Sequence, residues 1–568
     1  MNPLTARGFI RRLWFLLLLG LLAGPAHAER YALLIGVSDY EYPAFRNLEG
    51  PVYDVEALKT VLIRQWGFRA ENISTLVNAQ ANRDSVLQAL RQLHNRSQPG
   101  DHLFIYFSGH GTSRQDPNSY LPLPYTSGAL VPWDFQPRGT PQEQLQRLIV
   151  GRWDLRPLLE ALDRGNRKVF VAFDTCFSGQ AVRGKSNGLT ARYIPLPPSP
   201  ANAPAAPELG SFGSHAQSQE PYPYRHVFFV SAATEAEQAV DIKTANLACH
   251  PTLDGRAHGA FTDALLRILT GALKADTDHD GRLSYRELHQ ALRGFMDRQP
   301  YGQTPYALPI VEQDKDALGL ESVLDWNAAP AAGSYQPPGE ALRVRVSPEL
   351  APLREELRSV AGVVLVQDCP DLILRALDGD IQLITAGGDL LVQQPAGLAS
   401  QVLQRIRQQA WLRTQFADPN PAQQFNVTLD LSGLRQGGVA FAGEAISFMV
   451  SSEREAYILL LNIDPHGTIH VTYPYDESEL APVAARRALQ LPGETPGDKI
   501  RITPPLGTEY MAVVAFAQLS PEQRELLRRL MGKSIAPDAP PFAELQRLLA
   551  GPANQRAQAV LQFVTVQR

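Results

Sequence analysis

The chain has 568 residues, 44% hydrophobic, 20% charged and 8% aromatic, a globular balance that argues against wholesale disorder, a collagen-like fibre or a multi-span membrane protein. With 53 Lys and Arg against 58 Asp and Glu the formal charge is −5, so no broad basic excess exists to coat a polyphosphate, and no nucleic-acid partner is expected. Length alone suggests about three or four domains, with ample chain to bury a core without disulfides.

Arg7, Arg11 and Arg12 precede an apolar run from Leu13 to Ala23, and Ala26-His27-Ala28 follows. A positive segment, a short apolar core and a small-x-small site read as a signal peptide cleaved after Ala28, with no stable membrane insertion afterwards. The expected location is therefore exported, periplasmic or extracellular. Only three cysteines exist, Cys176, Cys249 and Cys369. That is no disulfide framework, and the odd count leaves at least one thiol without an intramolecular partner. Whether Cys249 and Cys369 pair is open at this level.

From Arg30 to about Ala233 short apolar runs alternate with amphipathic stretches. Tyr31–Gly36, Ile73–Val77, His102–Phe107, Lys168–Phe173 and His226–Ser231 read as strands. Asp54–Arg64, with Asp54 as N-cap, and Arg83–Leu93 read as helices. Near-continuous apolar strands between helices argue for a mainly parallel sheet covered on both faces. Sites in such sheets form beyond the carboxyl ends of the strands. Two of those ends carry unusual chemistry. One runs into Ser108-Gly109-His110-Gly111, the other into Asp174-Thr175-Cys176-Phe177-Ser178-Gly179. If the two strands are neighbours, His110 and Cys176 share a crevice, and an imidazole there can activate a thiol. The amides of Gly111 and Cys176 are then placed to stabilise an oxyanion.

Prolines crowd the stretch from Pro195 to Pro223, a long loop inside a compact unit, and Ala328–Gly339 reads as a linker. Between them lies Asp276-Thr277-Asp278-His279-Asp280-Gly281-Arg282-Leu283-Ser284-Tyr285-Arg286-Glu287. Asp276, Asp278, Asp280, the Arg282 carbonyl, Ser284 and Glu287 match every ligand position of an EF-hand loop, with Gly281 at the sharp turn. Calcium is the expected cofactor, and no organic cofactor is expected. Phe261–Leu273 and Tyr285–Met296 are the expected flanking helices. No second loop is found to pair with it. Beyond residue 340 come short strands and a helix over Leu398–Leu412. Period-two runs then follow at Phe425–Leu431, Ala445–Val450, Tyr457–Asn462 and Thr468–Tyr473, with a turn at Asp464–Gly467.

The ordered set Tyr106–Gly111 and Asp174–Gly179, with Ala32–Gly36, Asn47-Leu48, Asp54, Leu130–Asp134, Ser231–Ala233 and Gly259–Thr262, resembles the caspase-like cysteine peptidases, especially bacterial metacaspase-like members. The resemblance covers residues 30 to about 310. It implies a Cys–His dyad, with Cys176 as nucleophile and His110 as base and then acid, acting on a protein or peptide substrate. It also implies cleavage after a preferred P1 residue, acidic in caspases proper and Arg or Lys in metacaspases. Asp174 precedes Cys176 by two residues on the same strand face, and a carboxylate there suits a cationic P1. Asp54 is the second candidate wall of that pocket. Phe177 stands where many relatives carry His, and Gly50–Asp54 departs from the commoner asparagine-aspartate pair. Arg183, Lys185 and Arg192 open the proline-rich stretch, where self-cleavage is expected if the specificity is basic.

The expected architecture is thus α/β. A signal peptide spans 1–28, a caspase-like peptidase domain 29–312 with the EF-hand loop at 276–287, and a linker 313–339. A small α+β region covers 340–420 and a β-rich domain 421–568. The last resembles a domain of unknown function attached to bacterial proteases and kinases, and is expected to dock a protein partner. The competing reading is a catalytically idle caspase-like module that binds calcium and partners.

Overall fold

The computed structural model describes residues 28–567, apart from 113–127, 178–188, 195, 197–221, 235–236, 278–279, 310–317, 326–340, 387, 389, 417–424, 433–438, 493–499, 537–538 and 551–554. Residues 1–27 of the expected signal peptide 1–28, together with Arg183, Lys185 and Asp278, lie outside the described residues.

Six strands form the central sheet, in the order Tyr306–Leu308, Val227–Ser231, Lys168–Asp174, His102–Ser108, Arg30–Gly36, Ile73–Val77. All neighbours are parallel except the Tyr306–Leu308 edge strand. Alternation along each strand explains the two covered faces. Phe104, Tyr106, Phe170 and Ala172 join one apolar cluster with helices Gly50–Gln65, Ala260–Leu269 and Tyr285–Met296. Leu103, Ile105, Phe107, Val171 and Phe173 join the other, with helices Arg83–Arg96 and Arg156–Arg164.

Several elements differ in their bounds from the expectation, helices Arg83–Arg96 and Ala399–Gln415 running about one turn further than expected, and two differences bear on the site and the acidic loop. The first helix begins at Gly50 with Pro51 in its first turn, so Asp54 is not an N-cap. It sits one turn inside, fully buried, facing the strand ends. The helix ahead of the acidic loop spans Ala260–Leu269 rather than reaching Leu273. Gly271, at φ 75°, turns the chain there in a conformation open to glycine.

Among the described residues the second half is built from three further sheets. A five-stranded sheet over residues 342–395 carries helices Ala351–Arg358 and Ala399–Gln415. A six-stranded sheet containing Tyr457–Ile463, Thr508–Phe516 and Arg556–Val566 follows. One of its faces packs on helices Pro521–Leu530 and Pro540–Leu549, the other on a sheet built around Ala445–Ser452. Cys249 and Cys369 form a disulfide between the two halves. Among the described residues no helix is long and apolar enough to cross a membrane.

Candidate active site

The His102–Ser108 and Lys168–Asp174 strands are adjacent and in register, with Ser108 opposite Asp174. His110 and Cys176 therefore each lie two residues beyond the same aligned pair. The Gly109 amide donates to the Asp174 carbonyl at 3.3 Å, which carries the pairing past the strand ends. Gly111 touches the Cys176 backbone so closely that a Cβ on it would lie 2.3 Å from the Cys176 carbonyl oxygen. Glycine is needed there for space.

Both side chains are buried, and each is held by backbone. The His110 ring bonds the Arg46 carbonyl through Nε2 at 2.7 Å. A carbonyl can only accept, so the proton of the neutral ring sits on Nε2 and Nδ1 carries the lone pair. Among the described residues Nδ1 has no hydrogen-bond partner. Burial pushes His110 down to about 4, against the opposing pull of the Arg46 carbonyl, so the ring is a neutral base at physiological pH. The Tyr40 hydroxyl accepts the His110 amide at 2.7 Å. The Cys176 sulfur accepts the Ala239 amide at 2.7 Å and lies 3.5 Å from the Ala239 carbonyl.

The amides of Gly111 and Cys176 converge on one atom. Both donate to the backbone carbonyl of Arg192, at 3.0 Å and 3.3 Å. The residues before it, Thr190–Ala191, pair antiparallel with Val240–Ile242, and the Arg192 amide donates to the Ala239 carbonyl at 3.0 Å. The segment thus runs through the crevice as an added β-strand, the way an extended peptide is recognised.

The Arg192 side chain, fully buried, enters the pocket beneath. Asp54, Asp174 and Asp241 surround its guanidinium with ion pairs of 3.3, 3.3 and 2.8 Å. Sequence reasoning named the first two. It missed Asp241, which lies in a three-residue strand with no local motif. Each acid is anchored by backbone. Asp174 accepts the Thr262 amide at 3.0 Å, at the N-terminus of helix Ala260–Leu269. Asp241 accepts the Glu49 and Gly50 amides at 2.8 and 3.0 Å, where helix Gly50–Gln65 begins. Helix N-termini favour such anions. Burial pushes Asp174 and Asp241 above the usual carboxylate range, against the attraction of Arg192. Asp54 also pairs with His258 at 2.8 Å, and Asp254 holds the other ring nitrogen at 2.9 Å. Burial would lower His258, but these two bonds outweigh it and raise it to about 10, so it stays a cation behind the pocket. Its position next to Gly259 was the available signal, since Gly259 belongs to a quoted motif.

The acidic loop follows helix Ala260–Leu269, whose opposite, N-terminal end meets Asp174. Gly281 has φ 80°, and its amide donates to Asp276 at 3.1 Å. The Glu287 carboxylate folds back over the loop, accepting the Thr277 amide at 2.8 Å and the Ser284 amide at 2.9 Å. Among the described residues one buried carboxylate oxygen of Asp276 has no hydrogen-bond partner. The Leu283 carbonyl accepts Val323 at 2.7 Å, so residues 321–323 pair with the loop's midpoint. Asp280 accepts the Arg282 amide at 2.7 Å, and Ser284 is the N-cap of the exiting helix. These are hard oxygen donors of the kind calcium takes, though among the described residues no three His, Cys, Asp or Glu side chains gather closely enough to hold a metal ion.

Comparison with known proteins follows the same division. The metacaspase peptidase C14 domain matches residues 30–184, and a domain of unknown function, DUF4384, matches residues 440–518. Metacaspase-9 of Arabidopsis thaliana is 24% identical over 51% of this chain and 97% of its own length. Metacaspase-1B of Aspergillus fumigatus is 31% identical over 27% of this chain and 36% of its own length. For Metacaspase-1 of Plasmodium falciparum the figures are 29%, 27% and 24%. The chain thus spans nearly all of the plant relative but about a third or less of the other two. The histidine and cysteine at adjoining strand ends agree with the family match: residues 30–184 are similar to the metacaspase peptidase C14 domain, which supports a caspase-like cysteine peptidase, and residues 440–518 are similar to a domain of unknown function.

Proposed function

We propose that this chain is an exported cysteine endopeptidase that cleaves after basic residues, processes itself after Arg192 and is modulated by calcium. The observation that carries this reading is Arg192 itself. Its side chain lies among three carboxylates, and its carbonyl lies between the Gly111 and Cys176 amides. That is the pose a substrate needs on both sides of the reacting carbon.

In this reading the Cys176 thiol gives its proton to His110 Nδ1, and the thiolate attacks the Arg192 carbonyl carbon. The electron pair moves to the carbonyl oxygen, where the two amides stabilise it. Collapse breaks the Arg192–Tyr193 bond, and His110 passes its proton to the departing Tyr193 nitrogen. Water, deprotonated by His110, then attacks the thioester and frees the Arg192 carboxylate, and the proton returns to sulfur. The Arg46 carbonyl holds the ring so that Nδ1 is the exchanging atom throughout.

Export is supported by the basic-then-apolar opening segment, and the Cys249–Cys369 disulfide suits an oxidising compartment. For calcium, the candidate ligands are Asp276, Asp278, Asp280, the Arg282 carbonyl, Ser284 and Glu287. The ion would supply charge that ties the loop to the helix Tyr285–Met296, not chemistry at the bond being cut.

The test is turnover of Arg-, Lys- and Asp-terminated fluorogenic peptides by the full chain, beside Cys176→Ala. Basic peptides are expected to be cut, with a loss of roughly 10³-fold or more in the variant. A new N-terminus at Tyr193 is expected only with Cys176 present. Equal turnover by both proteins, or cutting of the Asp peptide alone, refutes the reading.

A further inference from the structure

Arg192 is held at more points than one positive charge requires. Nη1 lies 2.6 Å from Ser108 Oγ, 3.0 Å from the Asp174 carbonyl and 3.3 Å from Asp174 Oδ1. Nη2 lies 2.8 Å from Asp241 Oδ1 and 3.3 Å from Asp54 Oδ2. The two terminal nitrogens thus address different partners, and Asp241 meets only the second. The walls between are glycines. A Cβ on Gly50 would lie 2.8 Å from Nη2, and one on Gly259 would lie 2.6 Å from it. The space is a slot shaped for a flat, forked group.

A lysine in this slot carries its charge on one nitrogen, at the position of the guanidinium carbon and one bond short of either Nη. From there it cannot meet Asp241 and the Asp174–Ser108 side together. One buried carboxylate would lose its partner, and Asp241 cannot swing to follow, because both its oxygens accept helix amides. Leaving a buried charge unpaired is costly, and guanidinium and ammonium are not interchangeable at forked sites.

We propose that the pocket is selective for arginine over lysine and that Asp241 is the residue that imposes the selectivity. This rests on the peptidase reading above and narrows its substrates to arginyl bonds.

The experiment uses the full chain with Arg192→Ala, which removes the occupying side chain. Agmatine and cadaverine, which end in a guanidinium and an ammonium on chains of similar reach, are compared by calorimetry. A peptide pair differing only in P1 Arg or Lys is compared by turnover. Agmatine is expected to bind at least about 30-fold more tightly, and the Arg peptide to be favoured about 100-fold or more in kcat/KM. Adding Asp241→Asn should shrink both ratios below about 10-fold, with the change in Kd and KM rather than kcat. Equal binding of the two amines overturns the proposal, with no need for Asp241→Asn to fold. Equal turnover of the two peptides also overturns it while leaving the peptidase reading intact. Selective agmatine binding with no turnover of either peptide upholds the pocket and sinks the peptidase reading instead.

Discussion

Gly259 shows how narrow the site is at the level of single atoms. Its φ of −66° is open to any residue, so its requirement is space rather than conformation. A Cβ there would sit 2.0 Å from Asp174 Oδ2 and 2.6 Å from Arg192 Nη2. Gly259→Ala is therefore expected to keep the fold, at a cost of about 1–3 kcal/mol from overpacking. It should lose arginyl-peptide turnover by roughly 10²-fold through KM. Paired thermal melts and kinetics check both parts, and an unchanged KM would show that the guanidinium binds elsewhere. At this scale much was legible. His110, Cys176, Asp54 and Asp174 stand in recognisable strings. Asp241 was not identified, because nothing beside it in the chain marks it as a partner of the cation; Ser108 lies within a recognisable string and His258 beside another, but their parts in the pocket were set by contacts far along the chain.

Among the elements, the informative ones are those whose ends meet the site. Two parallel strands end in register and deliver His110 and Cys176, and two helix N-termini anchor Asp241 and Asp174. The short spacer between helix Ala260–Leu269 and the acidic loop departs from a helix–loop–helix unit, yet the loop closes on itself through Glu287. The exiting helix starts with a capping box, Ser284 and Glu287 each serving the other's amide. If calcium binds, Glu287 serves both cap and ion. Calcium at 100 times its Kd is then expected to stabilise the full chain by about 2.7 kcal/mol, read as a raised thermal midpoint that magnesium reproduces poorly. Glu287→Gln should abolish the rise. An unmoved midpoint in millimolar calcium removes the ion from the account. The ligand order was readable from spacing, whereas the helix stop at Leu269 depended on Gly271 turning at positive φ.

Across the whole molecule, the two halves are tied by a disulfide and by hydrogen bonds, Gln290 to Asp430 and Asn426 to Thr277 among them. The disulfide joins residues 120 apart, and Gln562 on the last strand reaches into the peptidase half. Its side chain donates to Thr304 at 3.1 Å, and its amide donates to Asp297 at 3.1 Å. Burial pushes Asp297 up to about 6 and nearby Glu237 up to about 7. Removing the cross-link releases a long loop in the unfolded chain, so Cys249→Ser is expected to cost about 3–5 kcal/mol. Chemical denaturation beside the parent protein measures it, and a midpoint unmoved by the substitution or by reductant would mean the bond adds no stability. The sequence by itself determined the covered parallel sheet, the two strand ends with their histidine and cysteine, and the β-rich second half, because apolar periodicity and short motifs are local properties of the chain. Only the tertiary structure decided that Cys249 meets Cys369, that Asp241 completes the acidic pocket and that Arg192 fills it. Those groups are tens to hundreds of residues apart, and long-range packing alone brings them within hydrogen-bonding distance.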